Sequence, residues 1–264
     1  MNKKSTKAKR PVVARKVEPV VVRLSDSVTL IHGDCLECGP FKADAVITDP
    51  PYGMNWNTET TRFSGGNNPA QRSAGRNDRA SVYGDNKPFD PSPWLDFRSV
   101  VMWGGNHFAA RVPVGTTLVW IKRNDPAFGS FLSDAEIAWM KGGCGVYCRR
   151  DLSMNAETVT RAHPTQKPVG LMEWCMDKAK VPQGATVLDP YMGSGTTGIA
   201  CIRTGRKFIG IEIDAGHFET ARKRMEAELM QGTFDFSGGA SAPTHNVSVH
   251  RTAHMHSRWR PRLG

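Results

Sequence analysis

The chain has 264 residues, 39% of them apolar, and a formal net charge of +10. That length supports one large α/β domain with a substantial core, or two small domains, and no stretch approaches the ~20 apolar residues of a membrane span. Eight Lys/Arg against Glu18 in residues 1–23 and four Arg with no acid in 237–264 place +11 in the ends and about −1 in residues 24–236.

Taken in chain order, the first 23 residues lack a sustained apolar period and predict a basic, flexible N-terminal tail, too weakly apolar for a signal peptide. Short apolar runs then alternate with helical patterns, as in parallel α/β sheets. Strands are predicted at Val28–His32, Ala45–Thr48, Ser99–Trp103, Thr117–Ile121, Glu136–Met140, Thr186–Leu188 and Phe208–Ile213. Helices are predicted at Pro168–Lys180, Thr197–Thr204 and Ala215–Met230, the last with Phe218, Ala221, Met225 and Leu229 along one face. Residues 53–98 interrupt the alternation and read as an irregular insertion, either an active-site lid or a target-recognition loop carrying Arg62, Arg72, Arg76 and Arg79. After Phe236 the chain is polar and predicts a second flexible basic tail, 237–264. The catalytic domain is therefore expected at 24–236. The six cysteines include two short spacings, Cys35-x-x-Cys38 and Cys144-x-x-x-Cys148, but no nearby histidine partners, and reduced cysteines in a cytoplasmic protein without a metal are the expectation.

Three motifs carry chemistry. In Ala45-Val-Ile-Thr-Asp49-Pro50-Pro51-Tyr52, a buried strand runs into two prolines that end its pairing. The tetrapeptide thus leaves the sheet at the carboxyl edge, where α/β ligands bind. In Thr186-Val-Leu-Asp189-Pro-Tyr-Met-Gly193-Ser-Gly195-Thr196-Thr-Gly198, a glycine loop opens a helix, and Glu212 follows at the end of the next strand. Such a loop admits a ligand close to backbone N–H groups, and the acid can bind ribose hydroxyls. A dinucleotide site has these features too, but Asp189 beside the loop suits a cation better than a pyrophosphate. The third motif, His163-Pro-Thr-Gln-Lys167-Pro168, ends on a proline suited to a helix start.

Together the three motifs resemble the DNA amino-methyltransferases, which methylate adenine N6 or cytosine N4. The catalytic tetrapeptide precedes the cofactor loop, similar to the permuted arrangement called the beta group. The resemblance implies a Rossmann-like methyltransferase fold, a mostly parallel seven-stranded sheet with helices on both faces. It makes Thr186–Leu188 the first strand of the unpermuted order, Phe208–Ile213 the second and Val28–His32 the third. It implies S-adenosylmethionine as cofactor, held by Asp34, His163, Lys167, Asp189, Gly193, Gly195, Thr196 and Glu212. Catalysis falls to Asp49, Pro50, Pro51 and Tyr52, acting on a base flipped out of DNA. Asp at the first tetrapeptide position favours adenine over cytosine within the family.

Methylation at cytosine C5 needs a thiolate, in that family from a Pro-Cys pair, and none of the six cysteines follows a proline. An RNA adenine-N6 methyltransferase is the alternative, and a nicotinamide-dependent dehydrogenase a more distant one. The resemblance leaves room for a homodimer and for a restriction endonuclease partner. Between the last strand and the His163 motif only about Cys144–Ala162 remains for sequence recognition, and Trp103-Gly-Gly-Asn106-His107 at a strand end can line the base pocket.

Overall fold

The computed structural model describes residues 19–54, 83–129, 133–152, 166–236 and 249–251. Ten strands form one sheet among them: β1 (Val20–Ser25), β2 (Val28–His32), β3 (Ala45–Thr48), β4 (Ser99–Trp103), β5 (Thr116–Ile121), β6 (Ala135–Met140), β7 (Val146–Arg150), β8 (Thr186–Asp189), β9 (Lys207–Glu212) and β10 (Val249–Arg251). The helices are α1 (Val169–Lys178), α2 (Thr196–Arg203) and α3 (Ala215–Phe236). The strand order is β10-β1-β2-β9-β8-β3-β4-β6-β5-β7.

The block β2-β9-β8-β3-β4 is parallel throughout. β8, β9 and β2 lie side by side, as the first three strands of the unpermuted methyltransferase order require. Antiparallel β6 then joins β4 to β5. β3 is buried at all four positions, as a central strand covered on both faces must be.

Three strands go beyond the seven expected. β1 alternates, burying Val22 and Leu24 to 6% and 7% exposure, and pairs antiparallel with β2. The domain therefore begins at residue 20 or before, and the boundary expected at 24 falls inside a strand. Three successive β-branched valines, Val20 and Val21 half-buried and Val22 buried, favour that pairing although the surrounding charge reads as tail. β7, absent from the expected strands, is largely exposed and is held to β5 by parallel backbone pairing, so it has no apolar face to betray it. β10 pairs with β1, so part of the expected C-terminal tail joins the sheet.

The sheet's two faces are covered differently. All three α-helices pack on one, where Leu171, Met172, Cys175 and Met176 of α1, Ile199 and Cys201 of α2, and Phe218, Ala221 and Met225 of α3 share a core with Val28, Ile47, Val101 and Phe208. The predicted apolar face of the last helix is the one that packs, Leu229 included. The other face was expected to carry helices as well. Among the described residues it is covered by irregular chain and 3-10 turns, through Phe89, Trp94 and Phe108 against Val46, Val100, Met102 and Ile211. The expected insertion 53–98 thus has a packed second part: Trp94 is 3% exposed, an apolar burial worth about 2–3 kcal/mol. The first part of that insertion, 55–82 with its four arginines, lies outside the described residues, as do His163 and most of 151–165.

Candidate active site

The carboxyl ends of the parallel strands bring the motif residues to one edge. β2 leads to Asp34, β9 ends on Glu212, β8 on Asp189, β3 runs into Asp49, and β4 ends at Trp103 before Gly104. Adjacent ends are tied directly: the Gly33 N–H donates to the Glu212 carbonyl at 2.9 Å, and Thr48 Oγ1 donates to Asp189 Oδ1 at 2.7 Å. That second bond joins the glycine-loop strand to the tetrapeptide strand.

On the glycine-loop side, burial pushes Asp189 up to about 6, against hydrogen bonds from Thr48, Thr197 and the Tyr191 N–H. Burial likewise raises Glu212, although it accepts from the Gly193 N–H at 2.9 Å and the Asp214 N–H at 2.8 Å. Gly195 adopts φ +82°, and a Cβ there would lie 2.7 Å from Met225 Cε, so the loop must be bare where it crosses α3. Above Gly193 a Cβ would meet nothing within 4 Å, leaving room on the loop's outer side. Thr196 starts α2 and is buried. Asp34 caps its own turn, accepting from the Leu36 N–H at 2.9 Å.

On the tetrapeptide side, both Asp49 oxygens are engaged. Oδ1 accepts from the Tyr52 hydroxyl and Oδ2 from the Lys167 ammonium. Lys167 is 4% exposed; it also pairs with Glu136 Oε2 at 3.2 Å and lies 5.3 Å from the centre of the Trp103 ring. Burial drives the Lys167 ammonium toward neutrality, but Asp49, Tyr52 and Glu136 outweigh it and hold the pKa above the ordinary lysine value. For Glu136 burial opposes the charge, and Lys167 and Lys122 overcome it, leaving the carboxyl below its usual range. Burial raises the Tyr52 phenol, and Asp49 raises it further.

Tyr52 stacks on His107, with ring centres 4.8 Å apart and planes 10° from parallel. A Cβ on Gly104, at φ +76°, would lie 2.1 Å from the Tyr52 ring, so glycine there makes the seat of the aromatic. Beyond Tyr52, the buried Asp85 accepts from the Gly53 N–H at 2.8 Å and fixes the chain leaving the motif.

Lys167 was expected with the cofactor residues, yet its side chain contacts Asp49 and Glu136. The helix start places it over the tetrapeptide, and two carboxylates attract it there. Lys122, Glu136 and Asp85 carry no motif and were not expected in the site, nor was Thr48, which the first motif contains only as the end of its strand. The only sequence sign of Glu136 is one acid inside the otherwise apolar Ala135–Met140. Among the described residues no three His, Cys, Asp or Glu side chains gather as a metal site.

A central parallel block in this order, with a glycine loop and an acidic tetrapeptide on adjoining strand ends, makes a Rossmann-like α/β arrangement. Residues 139–223 match the model of the N6 and N4 methyltransferase family, described as DNA methylase. Among curated proteins, the chain is 35% identical over 114 residues to the type II methyltransferase M2.DpnII of Streptococcus pneumoniae, covering 42% of each chain. It is 32% identical over 118 residues to the type II methyltransferase M2.LlaDCHI of Lactococcus lactis subsp. cremoris, 44% of each. The matches thus span less than half the length of these relatives. Among solved structures, the M1.HpyAVI–SAM complex aligns over 75% of this chain and 98% of its own, with TM-score 0.49 and 23% identity. The cytosine-N4-specific PvuII DNA methyltransferase aligns over 78% and 91%, with TM-score 0.48 and 14% identity. No described helix is long and apolar enough to cross a membrane.

Proposed function

We propose that this chain transfers the methyl group of S-adenosylmethionine to an exocyclic amino nitrogen of a DNA base, adenine N6 in preference to cytosine N4. The observation that carries this reading is the Thr48–Asp189 hydrogen bond, because it sets the acidic tetrapeptide directly beside the glycine loop. A methyl acceptor and a methyl donor held on those two segments would be neighbours. The family match at 139–223 supports the same chemistry, and both curated relatives are named type II methyltransferases, which supports a role in restriction-modification beside an endonuclease.

The residues fit the cofactor. Asp189 and Glu212 are buried carboxylates with raised pKa, and both lose that burial penalty when a cation or hydroxyl donors arrive. Glu212 keeps a second lone pair on each oxygen for ribose hydroxyls, and the space over Gly193 admits the ligand. When bound, S-adenosylmethionine supplies an electrophilic methyl group on sulfonium sulfur. Asp34, Gly195 and Thr196 complete the lining, and His163 belongs to the same proposal from its motif.

A base amino group is a poor nucleophile because its lone pair is delocalised into the ring. Asp49 and the Pro50 carbonyl accept its two N–H bonds and favour a pyramidal nitrogen. Each Asp49 oxygen holds one partner in the free protein and retains a lone pair for an N–H. Paired with Lys167, Asp49 holds the amino group. The proton leaves the methylated nitrogen readily, so no strong base is required. Pro51 stiffens the turn, and Tyr52, backed by His107, offers a stacking face to the flipped base. The Asp at position 49 supports adenine.

The test is incubation with labelled cofactor and DNA, RNA or protein, followed by digestion to single units. Label in N6-methyladenine from DNA is expected. Label in N4-methylcytosine would reverse the base preference, label in RNA or protein would overturn the substrate, and binding of NAD would overturn the cofactor.

A further inference from the structure

The acceptor side contains more charge than the tetrapeptide needs. Lys122 Nζ bonds Glu136 Oε1 at 2.8 Å, Glu136 Oε2 lies 3.2 Å from Lys167 Nζ, and Lys167 reaches Asp49 Oδ2. Signs alternate along the row, which crosses four elements: Lys122 just after β5, Glu136 on β6, Lys167 before α1 and Asp49 after β3. Resting on the amino-methyltransferase reading, we propose that Glu136 is a positioning residue, fixing the Lys167 ammonium against Asp49 so that the carboxylate faces the target amino group in one orientation.

The geometry requires such a partner. An ammonium has three donors, and a buried one with a single carboxylate leaves donors unsatisfied at high cost. Asp49 takes one and Glu136 another, while the Trp103 ring covers the ammonium. Glu136 is itself fixed at both oxygens, and its place is set by sheet register, with Trp120 opposite Glu136 on β5. Asp49 sits on a turn and has no comparable backbone anchor among its hydrogen bonds.

The groups facing Lys167 are Asp49 and Tyr52 after β3, Glu136 on β6 and the Cys175 thiol on α1, with Lys122 behind Glu136. In the full-length chain labelled with [13C]ε-lysine, the Lys167 resonance is identified by its disappearance in Lys167→Met. It should stay charged beyond the ordinary lysine midpoint of about 10.4, and Glu136→Gln should lower its midpoint by about one pH unit or more. An unchanged midpoint overturns the proposal, whether or not the protein turns over. In parallel, Glu136→Gln should lower kcat about tenfold, with KM for DNA and affinity for S-adenosylhomocysteine nearly unchanged. In the Lys167→Met background the same change should cost nothing further. An equal loss in both backgrounds means that Glu136 acts through the sheet, and it too overturns the proposal. Lys122→Met, at the outer end of the row, should lower kcat less strongly and, because it removes a cation, should not lower the Lys167 midpoint; no effect on either readout in Glu136→Gln would end the case. Absence of wild-type methyl transfer would defeat the functional reading alone, since the titration reports the Lys167–Glu136 pairing independently.

Discussion

The two halves of the site use the same residue type under opposite conditions. Asp49 lies 28% exposed and paired with an ammonium, whereas Asp189 is buried at 3% exposure and held by neutral donors, from Thr48, Thr197 and a backbone N–H. A carboxylate with its cation already in place is a rigid acceptor that does not need to change protonation. One with only neutral donors carries an unrelieved desolvation penalty, and a cationic ligand relieves it. In the proposed reaction, binding energy is thus stored on the cofactor side, and orientation is built on the base side.

The largest effect expected from breaking this contrast is on turnover. Asp49→Ala removes the acceptor for the amino N–H and should lower methyl transfer by more than about 100-fold, comparable with losing one preorganised hydrogen-bonding group. Affinity for S-adenosylhomocysteine, measured by calorimetry, should barely change. Retained turnover within about tenfold would deny Asp49 a part in the chemistry.

A smaller effect should appear in pH dependence. Asp189 has a folded pKa near 6 against an ordinary value of 3.8. The native state therefore holds a proton that the unfolded state has lost between these values. Asp189 is least destabilising below about pH 4, and stability falls as pH rises toward 6, by up to about 3 kcal/mol. Thermal melts of the ligand-free protein at pH 4 to 7 should lose part of this slope in Asp189→Asn. Cofactor affinity in the parent should weaken as pH falls through 6, and in the variant it should be weak throughout. A slope identical in both proteins would mean that Asp189 is not the buried group responsible.

The smallest effect serves as the control. Removing residues 1–18 deletes a net charge of +6 and leaves both halves of the site and strand β1 intact. Cofactor affinity should stay the same, while the slope of log DNA affinity against log salt should flatten by roughly 0.9 for each phosphate that the tail had neutralised. An unchanged slope would put the DNA-facing charge on the folded body.

Ala45–Thr48 and Thr186–Asp189 were legible to within a residue because strands buried on both faces read as short apolar runs, and two prolines or a glycine loop mark where each run ends. Asp49, Asp189, Gly195 and Glu212 meet at one edge of the sheet for the same reason: such motifs are local in sequence, and a strand's end projects them there. Only the tertiary structure decided that Lys167 belongs to Asp49, that Glu136 and Lys122 stand behind it, and that Thr48 ties the two halves together. Those pairings join residues 14 to 141 positions apart in the chain, and no local pattern encodes a partner at such distances. β7 stayed hidden because an edge strand can draw on backbone pairing without an apolar face, and β1 because the basic charge before it reads as tail. A side chain's charge can be read from sequence, but which opposite charge it meets depends on how the strands are ordered in space.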